Sequence, residues 1–511
     1  MTDESVLCLK TLPSIEDHLL APEWREPHLG IVHLGIGNFH RAHEAVYTEE
    51  AMLAVGGDWA ICGVTLQGDV TKRDALMAQD GLYSVVERGP QGVKTTVIRA
   101  LREVLALPYD RARLFDLLAA PHVRIVSLTV TEKGYCRNTK TGDVDLGHPG
   151  IAHDLEHPGE PGTVPGILVA ALKTRRDAGM APFTVLSCDN LSHNGAALRQ
   201  VVCSHARVLD EALATWIDLE VAFPSTMVDR IVPATTDADR DAAAVALGLR
   251  DEVPVPCEPF RQWVIEDRFP AGRPSWEQVG AQLVDDVMPF ELAKLRMLNG
   301  THSTLAYLSM LAGFATIDEA ISFAPLRALI HSMMTHEIAP TLSVPASFDL
   351  MAYRDALLER YANPALKHRC AQIAMDGSQK IPPRLLATIA ARLERGQPIS
   401  RLALGVAAWF VFLRGRADDG TTFVISDPLA SRLTALATNV GNVGDARNAP
   451  ESLVDALLGC RDVFRAELAS NEMFRHALIE AVTQLKAGAR AAIENASLRA
   501  TEINSASRHN L

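Results

Sequence analysis

Apolar segments near the start of the chain follow a strand–helix–strand order. Residues 29–37 form a short apolar stretch interrupted by glycines, which predicts a buried parallel strand that ends in a turn. From His40 to Val55, apolar residues recur at helical spacing, and the pattern stops at Gly56 and Gly57. A second apolar strand is predicted from Trp59 to Leu66. Together these segments predict a β-α-β unit.

The same alternation continues until about residue 285 and then gives way to helical periodicity. Further strands are predicted at Val123–Thr131 and Phe183–Ser187, with helical stretches such as Ile167–Ala178 between them. Beyond residue 285, helices are predicted over residues 289–313, 315–338, 350–361, 382–395, 401–415 and 454–495. We therefore predict a doubly wound α/β N-terminal domain over residues 1–285 and a mostly α-helical C-terminal domain over residues 286–511.

Composition and charge limit the class of protein. The chain has 511 residues, with 49 Lys and Arg against 62 Asp and Glu, so it lacks the basic balance of a nucleic-acid-binding protein. The longest apolar run, Leu402–Leu413, is shorter than the roughly 20 residues that span a bilayer. The N-terminus has no pattern of a secretory signal, and the cysteines form no CxxC pair. We therefore expect a cytoplasmic protein with free thiols and without nucleic-acid or membrane partners.

The turn after the first predicted strand has the spacing of a dinucleotide-binding loop. Gly35 would permit a tight turn, and Gly37 would let the backbone approach a pyrophosphate at the start of the next helix. The third position of the usual GxGxxG motif is His40 instead of glycine. A plain strand-to-helix turn therefore stays open as an alternative, although the position at the first β-to-α turn favours cofactor binding.

Asp69 is the candidate for binding the adenosine ribose of the cofactor. An acidic residue after the second strand accepts hydrogen bonds from the ribose hydroxyls and repels the extra phosphate of NADP. Asp69 lies 34 residues after Gly35, later than usual, and Lys72 and Arg73 stand nearby. The pattern favours NAD over NADP, with a solvated loop carboxylate as the alternative interpretation.

Three polar residues interrupt the first helix of the C-terminal half. At 100° per residue, Asn299 and His302 lie about 60° apart and Lys294 lies about 80° from His302, so all three can reach one cleft. Burial among apolar neighbours would remove water from the lysine and lower its pKa from about 10.4. Such an amine could take the proton of an alcohol while hydride leaves the same carbon, with Asn299 donating to the oxyanion and His302 orienting the substrate. A surface lysine and a core histidine are the alternative interpretation.

Several motifs along the chain share their pattern with one enzyme family. They are Gly35-Ile-Gly-Asn-Phe-His-Arg-Ala-His43, Ser127-Leu-Thr-Val-Thr-Glu-Lys-Gly-Tyr-Cys136, Ser187-Cys-Asp-Asn190, Phe223-Pro-Ser-Thr-Met-Val-Asp229, Glu258–Asp267, Lys294–His302 and Met375–Lys380. On these residues, over nearly its whole length, the chain resembles the polyol-specific long-chain dehydrogenases of the mannitol dehydrogenase family. The resemblance implies an NAD-dependent, metal-independent oxidoreductase with a Rossmann-type domain followed by a helical domain.

The resemblance also assigns roles to individual side chains. It implies that Lys294 is the general base and that Asn190 and Asn299 form the oxyanion site. His302 and Asp229 would help to hold the substrate.

Further assignments from the resemblance concern proton transfer and the cofactor. Glu132 and Glu291 would form a relay that carries the proton of the lysine towards water. The residues of the cofactor turn would be Gly35, Gly37, Asn38, Phe39 and Arg41. Members of the family are often monomers, so the resemblance is compatible with a monomeric protein.

Within the family, the segment around Gln372 resembles the fructuronate reductase branch. Mannitol dehydrogenases of the family tend to carry an arginine at that position. A hexuronate brings a carboxylate that needs a cationic partner, for which Lys380, Arg369 and Arg384 are the candidates. We therefore expect a sugar acid, D-mannonate or D-fructuronate, as the substrate. A neutral polyol such as mannitol or arabinitol stays open as the alternative.

Two rival interpretations concern a metal enzyme and a non-enzyme. The closest histidine pairs are His40 and His43 inside the glycine turn and His153 and His157 in a loop-like segment, and no cysteine has zinc-site spacing to either. We therefore expect no catalytic metal. A catalytically silent dinucleotide or sugar sensor would keep the fold but would not need the amine of Lys294.

Overall fold

The chain forms two compact units. The computed structural model describes residues 5–16, 27–66, 70–365, 367–438 and 450–508. The units are Met1–Met288 and Pro289–Leu511. The sequence predicts a nearby boundary, between residues 285 and 286. Among the described residues, no helix combines the length and the apolar character needed to cross a bilayer.

The N-terminal unit is built on a five-stranded parallel sheet. The strands of the described residues are β1 (Leu29–Leu34), β2 (Ala60–Thr65), β3 (Tyr83–Gly89), β4 (Gly92–Ile98), β5 (Leu101–Ala106), β6 (Ile125–Leu128), β7 (Thr184–Ser187), β8 (Thr226–Asp229), β9 (Val255–Cys257), β10 (Gln262–Glu266) and β11 (Gln282–Val284). The central sheet has the order β5-β2-β1-β6-β7, with every neighbouring pair parallel. Side chains alternate between two cores, because Ile31 and Ile61 lie in one core and Val32 and Cys62 in the other.

Two three-stranded sheets accompany the central one. Their orders are β4-β3-β9 and β11-β10-β8, and each contains one antiparallel and one parallel pair. The sequence did not predict these strands. Strand β4 is half exposed and carries Lys94 and two threonines, while β9 and β11 have three residues each, so neither apolar runs nor clear alternation mark them.

Helices connect the strands of the N-terminal unit. The α-helices are Asn38–Ala42, Glu44–Val55, Thr71–Ala78, Leu107–Leu118, Thr131–Gly134, Pro149–Glu156, Val164–Asp177, Asn194–Leu209, Glu211–Glu220 and Asp237–Leu247, with 3₁₀ turns at Leu12–Ser14 and Trp276–Val279. The expected single helix from His40 to Val55 is wrong in one respect. It breaks at His43, whose φ of −128° and ψ of −89° are not helical. The break lets the His43 ring lie near Phe39 and Trp263 while its Nε2 contacts the Gln262 carbonyl at 3.0 Å.

The C-terminal unit is helical, as the periodicity predicts. Its α-helices are Met288–Ala293 (which begins at the boundary), Thr301–Ala312, Ile317–Ser322, Ala324–Ser332, Leu350–Tyr361, Cys370–Ile373, Gly377–Ile381, Ala387–Leu393, Ser400–Phe412, Ala430–Thr438, Pro450–Leu458, Ala466–Ala469, Glu472–Lys486 and Ala489–Arg508. Helix Ser400–Phe412 is buried along nearly its whole length and packs against Thr301–Ala312 and Glu472–Lys486. The predicted class, a Rossmann-type domain followed by a helical domain, is confirmed.

Within the described part of the helical unit, three segments widen into π-helical turns. They are Lys294–Gly300, Met333–Ile338 and Pro382–Leu386, and the first of them packs against the other two. A π-helical turn pairs each N–H with the carbonyl five residues earlier, and such turns are frequent at functional sites. A 3₁₀ turn, Ala339–Thr341, follows the second.

The buried His43 makes the stability of the protein depend on pH. Burial lowers the pKa of His43 to about 3, the nearby Arg230 and Arg261 act in the same direction, and the hydrogen bond to the Gln262 carbonyl opposes them. Because the unfolded chain binds this proton at its ordinary pKa of about 6.5, stability is lost as the pH falls from about 6.5 towards 3.

We expect a His43→Gln variant to lose less stability in acid than the wild-type protein. Glutamine keeps a donor for the Gln262 carbonyl but takes up no proton, so about 3 kcal/mol of the loss between pH 7 and pH 4 should disappear. Melting temperatures measured across this range check the expectation. His153→Gln, at a side chain that is 52 % exposed, is the control. The expectation would be contradicted if the melting temperatures of His43→Gln and the wild type fell equally between pH 7 and pH 4.

Candidate active site

The glycine turn lies at the switch point of the parallel sheet. Strand β1 has β2 on one side and β6 on the other, so the strand order reverses at its carboxyl end, where doubly wound folds bind ligands. Gly35 has a φ of +91°, and its N–H and that of Ile36 donate to the Val64 carbonyl at 2.9 and 3.2 Å. A Cβ at Gly35 would lie 2.4 Å from the Thr129 carbonyl oxygen. Only glycine fits this position.

A cleft of about 590 Å³ opens at this edge of the sheet. Its lining combines the ends of β1, β2 and β6 with the side chains of Lys72 and Lys133. A Cβ at Gly37 would have the Gly35 carbonyl at 3.8 Å as its nearest neighbour, so the backbone there is open to approach. A glycine turn that lines a cleft together with cationic side chains fits the pyrophosphate of a dinucleotide.

The other expected cofactor residues differ in their burial and hydrogen bonds. Arg41 is buried and donates to the Val253 carbonyl and to Asn38 Oδ1, which favours a structural role over the expected cofactor contact. Asn38 also donates to the hydroxyl of Thr235 at 3.0 Å, and Phe39 is half-buried. The expected ribose ligand, Asp69, lies outside the described residues.

Polar residues expected at the substrate follow the carboxyl ends of strands. Asn190 is exposed three residues after β7, and Asp229 is the buried last residue of β8. Glu132 is exposed in the short helix after β6. Asp189, to which no sequence pattern points, accepts hydrogen bonds from the N–H groups of Val130 and Thr131 at 3.1 and 2.8 Å.

Asp189 therefore fixes the loop after β6. Burial raises the pKa of Asp189, and the two backbone donors oppose that shift. Thr131 has a φ of +62°, a conformation that a threonine rarely adopts and that these hydrogen bonds help to hold. Asp189 belongs to the motif Ser187-Cys-Asp-Asn190, but the resemblance assigns a role only to the last residue of that motif.

The first π-helical turn brings Lys294 and Asn299 to one side of their helix. Residues five apart would lie roughly 140° apart around an α-helix, whereas in a π-helical turn they are bonded neighbours in successive turns. Lys294 is 9 % exposed, so it has the burial that the sequence argument requires. Glu291 is half-buried one helical turn before Lys294, at the spacing of side-chain neighbours.

His302 follows in the adjoining α-helix and has an unpartnered nitrogen. Its Nε2 is buried and has no hydrogen-bond partner among the described residues. The ring stacks on Tyr361 with centroids 5.3 Å apart, and the His368 ring lies edge-on at 4.9 Å. Burial lowers the pKa of His302 well below its ordinary value, and His368 and Arg384 act in the same direction. The imidazole is therefore neutral and offers one nitrogen to a ligand.

Arg384 lies against the same helix. Its Nη1 donates to the Ser303 hydroxyl at 3.0 Å and to the Asn299 carbonyl at 3.4 Å. This approach depends on Gly300, because a Cβ there would lie 2.9 Å from the Arg384 carbonyl oxygen. Among the described residues, no carboxylate pairs with Arg384, and burial lowers the pKa of its guanidinium.

The two other candidate cations differ from Arg384. Lys380 Nζ donates to the Ile373 carbonyl at 3.3 Å and lies 4.0 Å from the carboxylate of Asp376. Arg369 is exposed. Of the three, Arg384 is therefore the half-buried cation that lacks an acidic partner within the described chain.

We expect alanine at Gly35 and at Gly37 to have different effects. Gly35→Ala places a Cβ against the Thr129 carbonyl at a positive φ, so the free energy of unfolding should fall by about 1–3 kcal/mol or more. Gly37 has a φ of −106° and open space around it, so Gly37→Ala should fold normally but bind NADH about tenfold more weakly. Thermal melts and fluorescence titration check both results. Wild-type NADH affinity in Gly37→Ala would contradict the placement of the pyrophosphate.

Comparisons with known proteins agree with this architecture. Residues 29–278 match the mannitol dehydrogenase Rossmann domain, and residues 286–486 match the mannitol dehydrogenase C-terminal domain. D-mannonate oxidoreductase of Escherichia coli strain K12 is 44% identical over 469 residues, which cover 91% of this chain and 95% of that protein. Polyol:NADP oxidoreductase of Gluconobacter oxydans strain 621H is 40% identical over 465 residues, 90% of this chain and 95% of that protein.

One similar solved structure carries both a cofactor and a substrate. It is the mannitol 2-dehydrogenase of Pseudomonas fluorescens in ternary complex with NAD and D-mannitol, with a TM-score of 0.82 and 36% identity. The match covers 96% of this chain and 99% of that one. The predicted family is thereby confirmed: the chain belongs to the mannitol dehydrogenase family of oxidoreductases.

Proposed function

We propose that this enzyme interconverts D-mannonate and D-fructuronate, a secondary alcohol and its ketone on a sugar acid, with NAD as the cofactor. The observation that carries the proposal is the π-helical face of Lys294 and Asn299. Arg384 lies against the same helix and pairs with no carboxylate of the described residues. The face provides a proton acceptor and an oxyanion donor, and the guanidinium provides a partner for the carboxylate that separates sugar acids from neutral polyols.

Each side chain then has a defined task in the oxidative direction. Bound nicotinamide would accept the hydride from the alcohol carbon. The Lys294 amine takes the hydroxyl proton, and the amides of Asn190 and Asn299 donate to the oxygen as negative charge develops. His302 uses its unpartnered Nε2 to orient a substrate hydroxyl, and Asp229 accepts from another.

Proton exchange with water completes the cycle. Glu291, one helical turn before Lys294, and the exposed Glu132 are carboxylates through which the lysine proton would leave. In the reductive direction the same groups act with Lys294 protonated, and the carbonyl oxygen receives that proton.

The charge balance around Arg384 supports an acidic substrate. A half-buried guanidinium without a carboxylate partner is costly, and a substrate carboxylate would offset the cost through two parallel N–H···O bonds. Two neutral hydroxyls would accept hydrogen bonds but would not neutralise the charge. The similarity to D-mannonate oxidoreductase points in the same direction.

A neutral polyol is the second candidate substrate. The similar structure with D-mannitol favours it, because that protein covers nearly the whole chain. Its bound NAD also supports NAD as the cofactor here, whereas the relative named for NADP favours the phosphorylated form. Both choices are decided by the same experiment.

A substrate panel tests the proposal. D-fructuronate, D-tagaturonate, D-fructose and D-xylulose are each offered with NADH and with NADPH, and the loss of reduced-cofactor absorbance is followed. We expect the highest kcat/KM for D-fructuronate with NADH. Lys294→Met, which cannot exchange a proton, should lower turnover by about 10²–10⁴-fold. Turnover of D-fructose without D-fructuronate would reverse the substrate assignment.

We expect Arg384→Gln to lower kcat/KM for the sugar acid more than for the neutral sugar. Loss of a charge-assisted hydrogen bond should lower kcat/KM for D-fructuronate by roughly 10–100-fold, with a smaller change for D-fructose. The ratio of the two kcat/KM values, measured at saturating NADH, is the readout. Arg369→Gln is made in parallel. A larger loss in Arg369→Gln would move the carboxylate partner to that residue.

A further inference from the structure

A buried ionisable cluster lies directly beneath the glycine turn. His33 and His40 are 0 % exposed and Glu44 is 1 % exposed. His33 belongs to β1, while His40 and Glu44 belong to the two helical segments that follow the turn. One oxygen of Glu44, Oε2, lies 3.1 Å from Nδ1 of both histidines. The role of this cluster is not explained by the roles assigned above.

A chain of hydrogen bonds connects the cluster to the turn. His33 Nε2 lies 2.9 Å from the Thr129 hydroxyl, and that hydroxyl donates to the Gly35 carbonyl at 2.9 Å. A carbonyl oxygen can only accept, so the single hydroxyl hydrogen of Thr129 points to Gly35. Thr129 must therefore accept from His33, which places a hydrogen on Nε2.

The other ring nitrogen of His33 lies between two polar groups. Its Nδ1 faces the Glu44 carboxylate at 3.1 Å, and the Ser127 hydroxyl lies 2.8 Å away. Although burial alone would raise it, hydrogen bonds from His33 and His40 lower the pKa of Glu44 below its ordinary value. The Glu44 carboxylate and the Ser127 hydroxyl thus hold the His33 ring from its Nδ1 side.

A metal ion does not fit the same atoms. The His33 and His40 rings are stacked, with centroids 3.5 Å apart and planes only 16° from parallel. The lone pair of an imidazole nitrogen lies in the plane of its ring, so two nearly parallel rings at this separation do not converge on one ion. Their geometry is that of donors to a shared carboxylate oxygen.

The last hydrogen bond of this series, from Thr129 to Gly35, fixes one peptide plane of the turn. The Gly35 carbonyl and the Ile36 N–H belong to the same planar peptide unit. Thr129 holds the carbonyl, and the Val64 carbonyl receives the N–H at 3.2 Å. Held from both sides, this plane sets the direction in which the backbone enters Gly37, where a Cβ would meet no atom closer than 3.8 Å.

We propose that His33 is a positioning residue for cofactor binding: the buried chain Glu44–His33–Thr129 orients the Gly35 peptide and prepares the turn for the dinucleotide. A turn that is already ordered loses less conformational entropy when the cofactor binds. These hydrogen bonds therefore act on cofactor affinity and not on the chemical step. The inference rests on the proposed use of a dinucleotide but is independent of the identity of the sugar.

A matched pair at Thr129 tests the proposal. Thr129→Val keeps the shape and removes the hydroxyl, whereas Thr129→Ser keeps the hydroxyl. We expect Thr129→Val to raise the NADH dissociation constant and the KM for NADH about tenfold, with kcat at saturating NADH within about twofold of the wild type. Thr129→Ser should restore most of the affinity. Melting temperatures accompany each measurement.

A second pair at His33 separates its two nitrogens. The amide of Gln places a donor near the position of Nε2, whereas that of Asn reaches only the position of Nδ1. We expect His33→Gln to retain more NADH affinity than His33→Asn. If His33 variants do not fold, the Thr129 pair decides alone.

Several results would overturn the inference. They are wild-type NADH affinity in Thr129→Val, equal losses in Thr129→Val and Thr129→Ser, a fall in kcat as large as the rise in KM, or a stoichiometric metal ion lost on substitution of His33. Binding of NADH by the wild type without turnover of D-fructuronate would instead contradict the proposed substrate and leave this inference intact.

Discussion

Widening one turn of a helix from α to π is the constraint on which the candidate chemistry depends. Such a turn has poor backbone geometry by itself and persists only where packing holds it. Here the turn Lys294–Gly300 packs against two further π-helical turns, and Gly300 admits the backbone of Arg384 to a distance that no other residue would allow. The result is a buried amine and an amide on one side of the helix, followed by a neutral imidazole. A regular α-helix with the same sequence would separate Lys294 from Asn299.

The N-terminal unit solves a different problem, which is to hold a backbone turn open to an anion. Positive φ at Gly35 makes the turn possible, and hydrogen bonds from the interior keep its peptide in one orientation. In the proposed function, the cationic side chains that line the cleft would attract phosphate, while the interior groups would fix the backbone that contacts it. Because the proposal assigns the two tasks to different residues, it predicts that substitutions can change cofactor affinity and the rate of proton transfer separately.

The sequence revealed those features that rest on local pattern. Strands β1, β2, β6 and β7 are apolar runs, so the sequence predicts them, whereas β4 and β11 are short or half polar and carry no such pattern. Lys294, Asn299 and His302 were recognised as a set, but hydrophobic periodicity contains no sign of a π-helical turn, so their angular relation was wrong. His33 was hidden because a histidine within an apolar strand looks like a core residue. Its partner Thr129 lies nearly a hundred positions away, and only the fold joins them.

Chemical rescue of a Lys294→Ala variant tests the central claim most directly. If the buried amine of Lys294 exchanges the proton, small primary amines added to the variant should restore oxidation of the sugar acid. The rate should rise with amine concentration and depend on the pKa of the amine. Bulky amines of the same basicity should restore less, because the site is buried. A variant that binds cofactor and substrate normally but shows no rescue by any amine, or one that turns over at the wild-type rate without them, would contradict the account.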